Sequence, residues 1–183
     1  TSDSMGIGGK FLEAFGSTMD RRATVLPNHQ ALFRRSRVIA RTRTSDLFEA
    51  TTVHNNNRIM LWCLHAPLAP ASREAAEFVR RMSRITRSKA RIPRFFVYVV
   101  DQAKTAFAAA HYQESKEIVG ARYEAAEVSA LFFDAVSQVA RLHRQKLVLG
   151  DVCGSTFALD ESGRVLLLNV LGCIGEQGRA EQQ

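Results

Sequence analysis

Residues 141–172 constrain the fold of this chain more than any other stretch. A charged, helix-compatible run ends in the short apolar run Leu147-Val148-Leu149, and a turn with one carboxylate follows at Gly150 and Asp151. Two β-rich runs, residues 156–159 and 164–168, then flank the turn-forming sequence Asp-Glu-Ser-Gly. The pattern predicts a helix end, a strand, a loop bearing a carboxylate and a β-hairpin in immediate succession.

Upstream of this segment, β-rich and helical runs follow one another in an order that predicts an α+β chain. The predicted strands are short runs rich in β-branched and aromatic residues: residues 38–42, 47–53, 59–64, 95–100 and 105–111. The last two are expected to form a hairpin. Helical spacing marks two other segments: one capped by Ser72, with Phe78, Met82 and Ile85 on its apolar face, and residues 124–144.

The composition is that of one globular domain. The chain has 183 residues, of which 46% are hydrophobic and 23% charged, and this length is enough to bury a core. No apolar run approaches the ~20 residues that a membrane-spanning helix needs. Cys63, Cys153 and Cys173 are too few for a disulfide framework and indicate reduced thiols. The histidines lack the spacing of zinc ligands, so we expect neither a metal nor a cofactor.

The net charge of +7 points to an acidic partner. A run at residues 34–43 is interpreted as solvated surface. A second basic run favours contact with an acidic protein surface, and nucleic-acid phosphates remain an open alternative that is not favoured. Its predicted partner-binding residues are Arg80, Arg81, Arg84, Arg87, Lys89 and Arg91.

Residues 141–172 resemble the catalytic loop and following hairpin of a protein kinase. Within kinases the chain is most similar to the Bub family of spindle-checkpoint kinases and pseudokinases. The likeness covers roughly residues 37–175, and its matches are short: Leu47-Phe-Glu-Ala-Thr51, Trp62-Cys-Leu-His-Ala-Pro67 and Asn169-Val-Leu-Gly-Cys-Ile174. Because the sequence is divergent and rich in arginine, we expect a relative of the kinetoplastid-type kinetochore proteins.

The resemblance implies a protein-kinase-like fold, with an antiparallel N-lobe sheet, one helix and a short, truncated helical C-lobe. Residues 1–36 are then an N-terminal extension, in which Phe11, Leu12, Phe15 and Met19 predict a short docking helix. Residues 37–183 are the kinase-like (pseudokinase) domain, with the N-lobe at about 37–112 and a partial C-lobe at about 113–183. We expect the chain to be a fragment of a longer protein.

Nearly every residue that phosphoryl transfer needs is replaced at the matching position. The Gly-rich loop falls on residues 40–46, which contain no glycine. The strand lysine falls on Trp62, and the helix glutamate falls on Arg81 or Met82. An indole carries no positive charge, and neither of the other two residues could hold a lysine. The resemblance therefore implies a domain that does not cradle a nucleotide.

The catalytic loop has lost the same chemistry. The catalytic histidine falls on Leu149 and the loop lysine on Cys153. The two metal ligands fall on Thr156 and Asn169, and a neutral amide is a poor magnesium ligand. Asp151 alone keeps its identity, and we interpret it as a loop carboxylate bonded to nearby backbone N–H groups. The sequence predicts no enzyme.

The expected function is therefore that of a catalytically inactive interaction scaffold. In a Bub-like setting it would bind other kinetochore or checkpoint proteins in the nucleus, at the kinetochore. Four alternatives stay open: a minimal kinase-like pathogen effector, a divergent small-molecule or lipid kinase, a basic nucleic-acid-binding module, and a purely structural domain.

Overall fold

The five strands predicted in the first part of the chain form one antiparallel sheet. The computed structural model describes residues 28–118, 120–150 and 152–175. The strands follow in the spatial order β1-β2-β3-β5-β4. Their bounds are β1 Phe33–Arg41, β2 Ser45–Thr52, β3 Arg58–Leu64, β4 Phe95–Val100 and β5 Ala106–His111. The predicted β4–β5 hairpin is confirmed, with Val100 paired to Ala106.

β1 begins earlier than predicted, at Phe33 instead of residue 38. Its first half carries three arginines, and all but Phe33 of its first six residues are exposed. Hydrophobic alternation therefore gave no signal for this part of the strand. Charged side chains are typical of an edge strand, because they discourage pairing with another chain.

A short helix, α1 (His29–Leu32), precedes β1. It is hydrogen-bonded to the residue that follows β4, the strand at the opposite edge of the sheet from β1. Asp101, just after β4, accepts hydrogen bonds from the His29 backbone N–H at 2.9 Å and from its ring Nδ1 at 2.7 Å. Arg35 Nη2 lies 2.6 Å from His29 Nε2 and donates a hydrogen bond to it. The Nδ1 nitrogen of His29 is therefore the one that donates a hydrogen bond to Asp101. The predicted docking helix at Phe11–Met19 lies outside the described residues.

Helix α2 (Arg73–Arg87) crosses the inner face of the sheet. The predicted cap is confirmed, because Ser72 Oγ accepts from the Ala75 N–H at 3.0 Å. Phe78, Met82 and Ile85 are buried, as their spacing predicted. Arginines occupy the other faces, so α2 is amphipathic in the way a surface helix requires.

The second half of the chain builds a smaller layer against α2 and the sheet. The predicted long helix is confirmed as α3 (Ala125–His143). Around it lie β6 Lys116–Glu117, β7 Leu147–Leu149, β8 Phe157–Leu159, β9 Val165–Leu167 and β10 Cys173–Gly175. The predicted hairpin is confirmed as β8–β9, β6 extends it, and β7 pairs with β10. One core cluster runs from Met60 and Trp62 through α2 to Leu166 and Leu168.

The fold class is therefore α+β, with a mostly antiparallel sheet and few helices. Within the described ranges, no helix is long and apolar enough to span a bilayer.

Candidate functional site

Trp62 fills the space between the five-stranded sheet and the smaller layer. It sits in β3 between Leu47 of β2 and Ala108 of β5, and the small alanine leaves room beside the indole. The side chain is completely buried. Its Nε1 donates to the Leu168 carbonyl oxygen at 2.9 Å, and its ring lies 5.0 Å from that of Phe95. The indole thus joins the two layers and satisfies its only polar atom.

Asn169 follows Leu168 and faces β2. Its Oδ1 accepts a hydrogen bond from Ser45 Oγ at 3.3 Å, and both residues are buried. The Asn169 Nδ2 atom is buried without a hydrogen-bond partner among the described residues. This position thus holds a neutral amide in a second contact between the layers, and Ser45 is a partner that sequence reasoning missed.

Thr156 and Cys153 form a local turn before β8. Thr156 is fully buried. Its Oγ1 accepts from the Cys153 N–H at 2.9 Å, and its carbonyl accepts from the Leu168 N–H at 2.9 Å. Cys153 Sγ lies 3.1 Å from Ser155 Oγ. Cys153 and Thr156 therefore position the segment that carries Leu168 and Asn169.

Leu149 is a core residue of the smaller layer. It lies in β7, pairs with Cys173 of β10 and is 9% exposed. Burial raises the pKa of the Cys173 thiol to about 12, so Cys173 is protonated and not nucleophilic at neutral pH. Asp151, two residues after Leu149, lies outside the described residues.

A cavity of about 260 Å³ lies between the β1–β2 turn, the end of β3, α2 and the start of β10. Its polar and charged lining consists of Arg43, Thr44, His65 and Arg81. Arg81 is one of the two residues, with Met82, predicted to replace the helix glutamate. Its Nε is buried without a hydrogen-bond partner in the described part of the chain. Burial lowers the pKa of its guanidinium below the usual value, since desolvation disfavours the charged form.

The other residues of the predicted basic surface are spread over different environments. Arg84 donates to the carbonyls of Gln145 and Lys146, and Arg91 donates to Asp134 and the Val165 carbonyl, each at 2.7 Å. Arg80, Arg87 and Lys89 are exposed. Arg84 and Arg91 thus anchor the smaller layer to α2 and its following loop. Their role in partner binding stays a prediction.

An exposed apolar face on α3 is the feature that sequence reasoning missed most clearly. Val128, Phe132, Phe133 and Val136 are 48–70% exposed, and the two phenylalanine rings lie 6.0 Å apart. The buried side of the helix carries Gln138 and Leu142 instead. The signal was present in the sequence, because a helix that is apolar on most of its circumference needs cover on more than one side.

No cluster of three or more potential metal-ligating side chains occurs among residues 28–118, 120–150 and 152–175. No protein-family model matches this chain, and a search of curated proteins finds no match.

Proposed function

We propose that this chain is a catalytically inactive, Bub-like kinase domain that acts by binding other proteins at the kinetochore and in the spindle checkpoint. The strand order β1-β2-β3-β5-β4 supports a kinase-like N-lobe, with α2 placed between β3 and β4. The smaller layer, with α3 followed by a strand, a loop and a hairpin, supports the beginning of a C-lobe.

The observation that carries the proposal is the buried indole of Trp62. In a kinase the matching side chain is a lysine that contacts the nucleotide phosphates. Here an uncharged ring stands in its place, completely buried and bonded to the Leu168 carbonyl. Opening the space between the sheet and the smaller layer to a nucleotide would require breaking the hydrogen bond and exposing a large apolar surface. Both changes cost free energy, so this space, the cleft of the proposed kinase fold, should stay closed.

The loss of metal ligands supports the same interpretation. Asn169 is held against Ser45, and Thr156 against the Cys153 backbone. Neither position offers the carboxylate oxygen that magnesium prefers. Without a metal and a positive charge on the strand, a loop carboxylate has no phosphoryl group to act on.

The apolar face of α3 supports a binding role. Large exposed apolar side chains grouped on one surface mark protein–protein contacts in soluble domains. Phe132 and Phe133 are the most exposed of the four residues of this face, at 62% and 70%. Aromatic residues are also enriched where partners contribute most binding energy.

Affinity capture from cells of the source organism tests the proposal. The baits are the natural chain, the double variant Phe132→Ser/Phe133→Ser, and Val53→Ser, an exposed apolar control in the turn after β2. Kinetochore and checkpoint proteins should be enriched with the natural chain and the control, and lost with the double variant. Enrichment of no such protein, or a tagged chain that stays outside the nucleus, would overturn the proposal.

A further inference from the structure

The cavity beside α2 has the chemistry of an anion site. Two arginines, Arg43 and Arg81, line it together with His65 and Thr44. No carboxylate is among its described lining residues. Such a concentration of donors and positive charge within a concave surface raises the local concentration of anions.

The hydrogen bonding of Arg81 is left incomplete by the described residues. Its Nε is buried without a hydrogen-bond partner in the described ranges, and so is Oγ1 of Thr44, a second lining residue. A buried donor left unsatisfied costs free energy, and the cost is larger for a charged group. Both atoms would be satisfied by one acceptor-rich ligand placed between them.

In the described ranges, the acidic side chains near the cavity have partners other than Arg81. Glu77, one turn before Arg81, pairs with Arg80 at 2.9 Å. Asp46 lies 3.1 Å from His65 Nε2. Cys173, at the base of the cavity, has a pKa raised to about 12 and stays a neutral thiol. None of these groups neutralises the Arg81 guanidinium through a direct ion pair.

The cavity is large enough for one small polar group. Its volume is about 260 Å³, below the ~300–1,000 Å³ of sites for drug-sized ligands and well above the ~30 Å³ that one water takes up in the liquid.

We propose that this cavity binds a single phosphate group, with Arg81 and Thr44 as its central donors and Arg43 and His65 at its mouth. Phosphate is favoured over carboxylate because a monoester offers three strong acceptor oxygens and a charge of about −1.5 to −2. Arginine matches two of these oxygens in a planar, bidentate arrangement. The inference is independent of the exposed face of α3, since no residue of that helix lines the cavity.

The phosphate group could belong to a free small phosphate or to a phosphorylated segment of a partner protein. One titration series distinguishes these two sources. The probes are inorganic phosphate, a short phosphoserine peptide, its unphosphorylated form, and acetate, at constant ionic strength. Binding is followed through the arginine Nε–H signals in ¹H–¹⁵N NMR spectra. Tighter binding of the phosphopeptide than of phosphate identifies a phosphorylated partner segment, and equal or weaker binding identifies a free small phosphate.

Arg81→Met and Arg80→Met form a matched pair, because each removes one positive charge from adjacent positions of α2. Arg80 is exposed and outside the cavity. Arg81→Met identifies the Arg81 signal and should weaken phosphate binding about tenfold or more, whereas Arg80→Met should change it less than about twofold. Methionine removes a buried charge, so the Arg81→Met variant should melt in chloride at or above the temperature of the natural chain.

Three results would each overturn the proposal. The first is an Arg81 Nε–H signal that does not move with either phosphate probe. The second is equal weakening of phosphate binding by Arg80→Met and Arg81→Met, which would indicate surface charge alone. The third is acetate binding as tight as phosphate binding.

Discussion

Single buried side chains fill the space between the five-stranded sheet and the smaller layer. The large ring of Trp62 packs against Phe95, with 5.0 Å between the ring centroids. Its one donor, Nε1, is hydrogen-bonded to the Leu168 carbonyl. Asn169 adds a second bridge to Ser45. Trp62 and Asn169 thus connect the five-stranded sheet to the smaller layer.

Truncating the indole should therefore destabilise the whole domain. We expect Trp62→Ala to lower the free energy of unfolding by about 3–5 kcal/mol, because it removes a large buried side chain and leaves a cavity. Trp62→Phe keeps most of the apolar volume but leaves the Leu168 carbonyl unsatisfied, at a cost of about 1–3 kcal/mol. Urea unfolding measures both. A loss below about 1 kcal/mol for Trp62→Ala would contradict the bridging role.

The three cysteines should differ in reactivity toward iodoacetamide. Cys63 and Cys173 are buried, and burial raises their pKa values to about 11 and about 12. Since the thiolate is the reactive form, both should resist alkylation in the folded protein. Cys153 is half-buried and should react first, as peptide mass spectrometry would record. Labelling of Cys173 as fast as Cys153 in the native state would contradict the structure.

Helix α3 carries apolar side chains on its exposed side as well as on its buried side. Its inner side packs Leu142 into the core and uses Gln138 to accept the Arg91 backbone N–H at 2.8 Å. Its outer side presents Val128, Phe132, Phe133 and Val136 to solvent. The helix is therefore both a support of the smaller layer and a surface.

The two sides of α3 should respond differently to substitution. Phe132→Ser/Phe133→Ser removes exposed side chains, so the free energy of unfolding should change by no more than about 0.5–1 kcal/mol. Leu142→Ala, on the inner side, should cost about 2–5 kcal/mol. Thermal and urea unfolding compare the variants. A large destabilisation by the double serine variant would show that the face is covered in the folded chain.

Sequence reasoning located most elements but assigned burial less well. Helix α3, the β4–β5 hairpin and the Ser72 cap were predictable because periodicity, turn residues and capping are local signals. The start of β1 at Phe33 was missed because an arginine-rich edge strand has no apolar alternation. The bridges of Trp62 to Leu168 and Ser45 to Asn169 join residues more than 100 positions apart, and a single sequence does not encode such pairings locally.

Three aspartates, each accepting several hydrogen bonds, contribute to the stability of the whole molecule. Burial alone would raise the Asp101 pKa, but hydrogen bonds from His29 and Thr105 hold it below its usual value. Asp160 is likewise buried, and donors from Ser162 and Arg164 lower its pKa to about 2. Asp134, bonded to Gln138, Val165 and Arg91, also has a lowered pKa.

Stability should consequently fall in acid. A carboxyl group whose pKa is lower in the folded than in the unfolded chain contributes stability above the unfolded pKa of ~3.9, and that contribution is lost as the pH falls through the folded pKa. We expect the urea midpoint to be constant near neutrality and to drop steeply between about pH 4 and pH 2. The Asp160→Asn variant should have a lower urea midpoint than the natural chain at pH 7. Its midpoint should also change less between about pH 4 and pH 2. Parallel profiles for both proteins would contradict the assignment.

The most direct measurement of the central idea, a cleft closed by Trp62, is a thermal-shift titration of the natural chain with ATP and magnesium. A ligand that binds only the folded state at 100 times its dissociation constant adds about 2.7 kcal/mol of stability, which is a shift of several degrees for a domain of this size. The closed cleft predicts no nucleotide-dependent, magnesium-dependent rise beyond that given by inorganic phosphate at the same ionic strength. A saturable rise with ATP and magnesium that exceeds the phosphate control would contradict it.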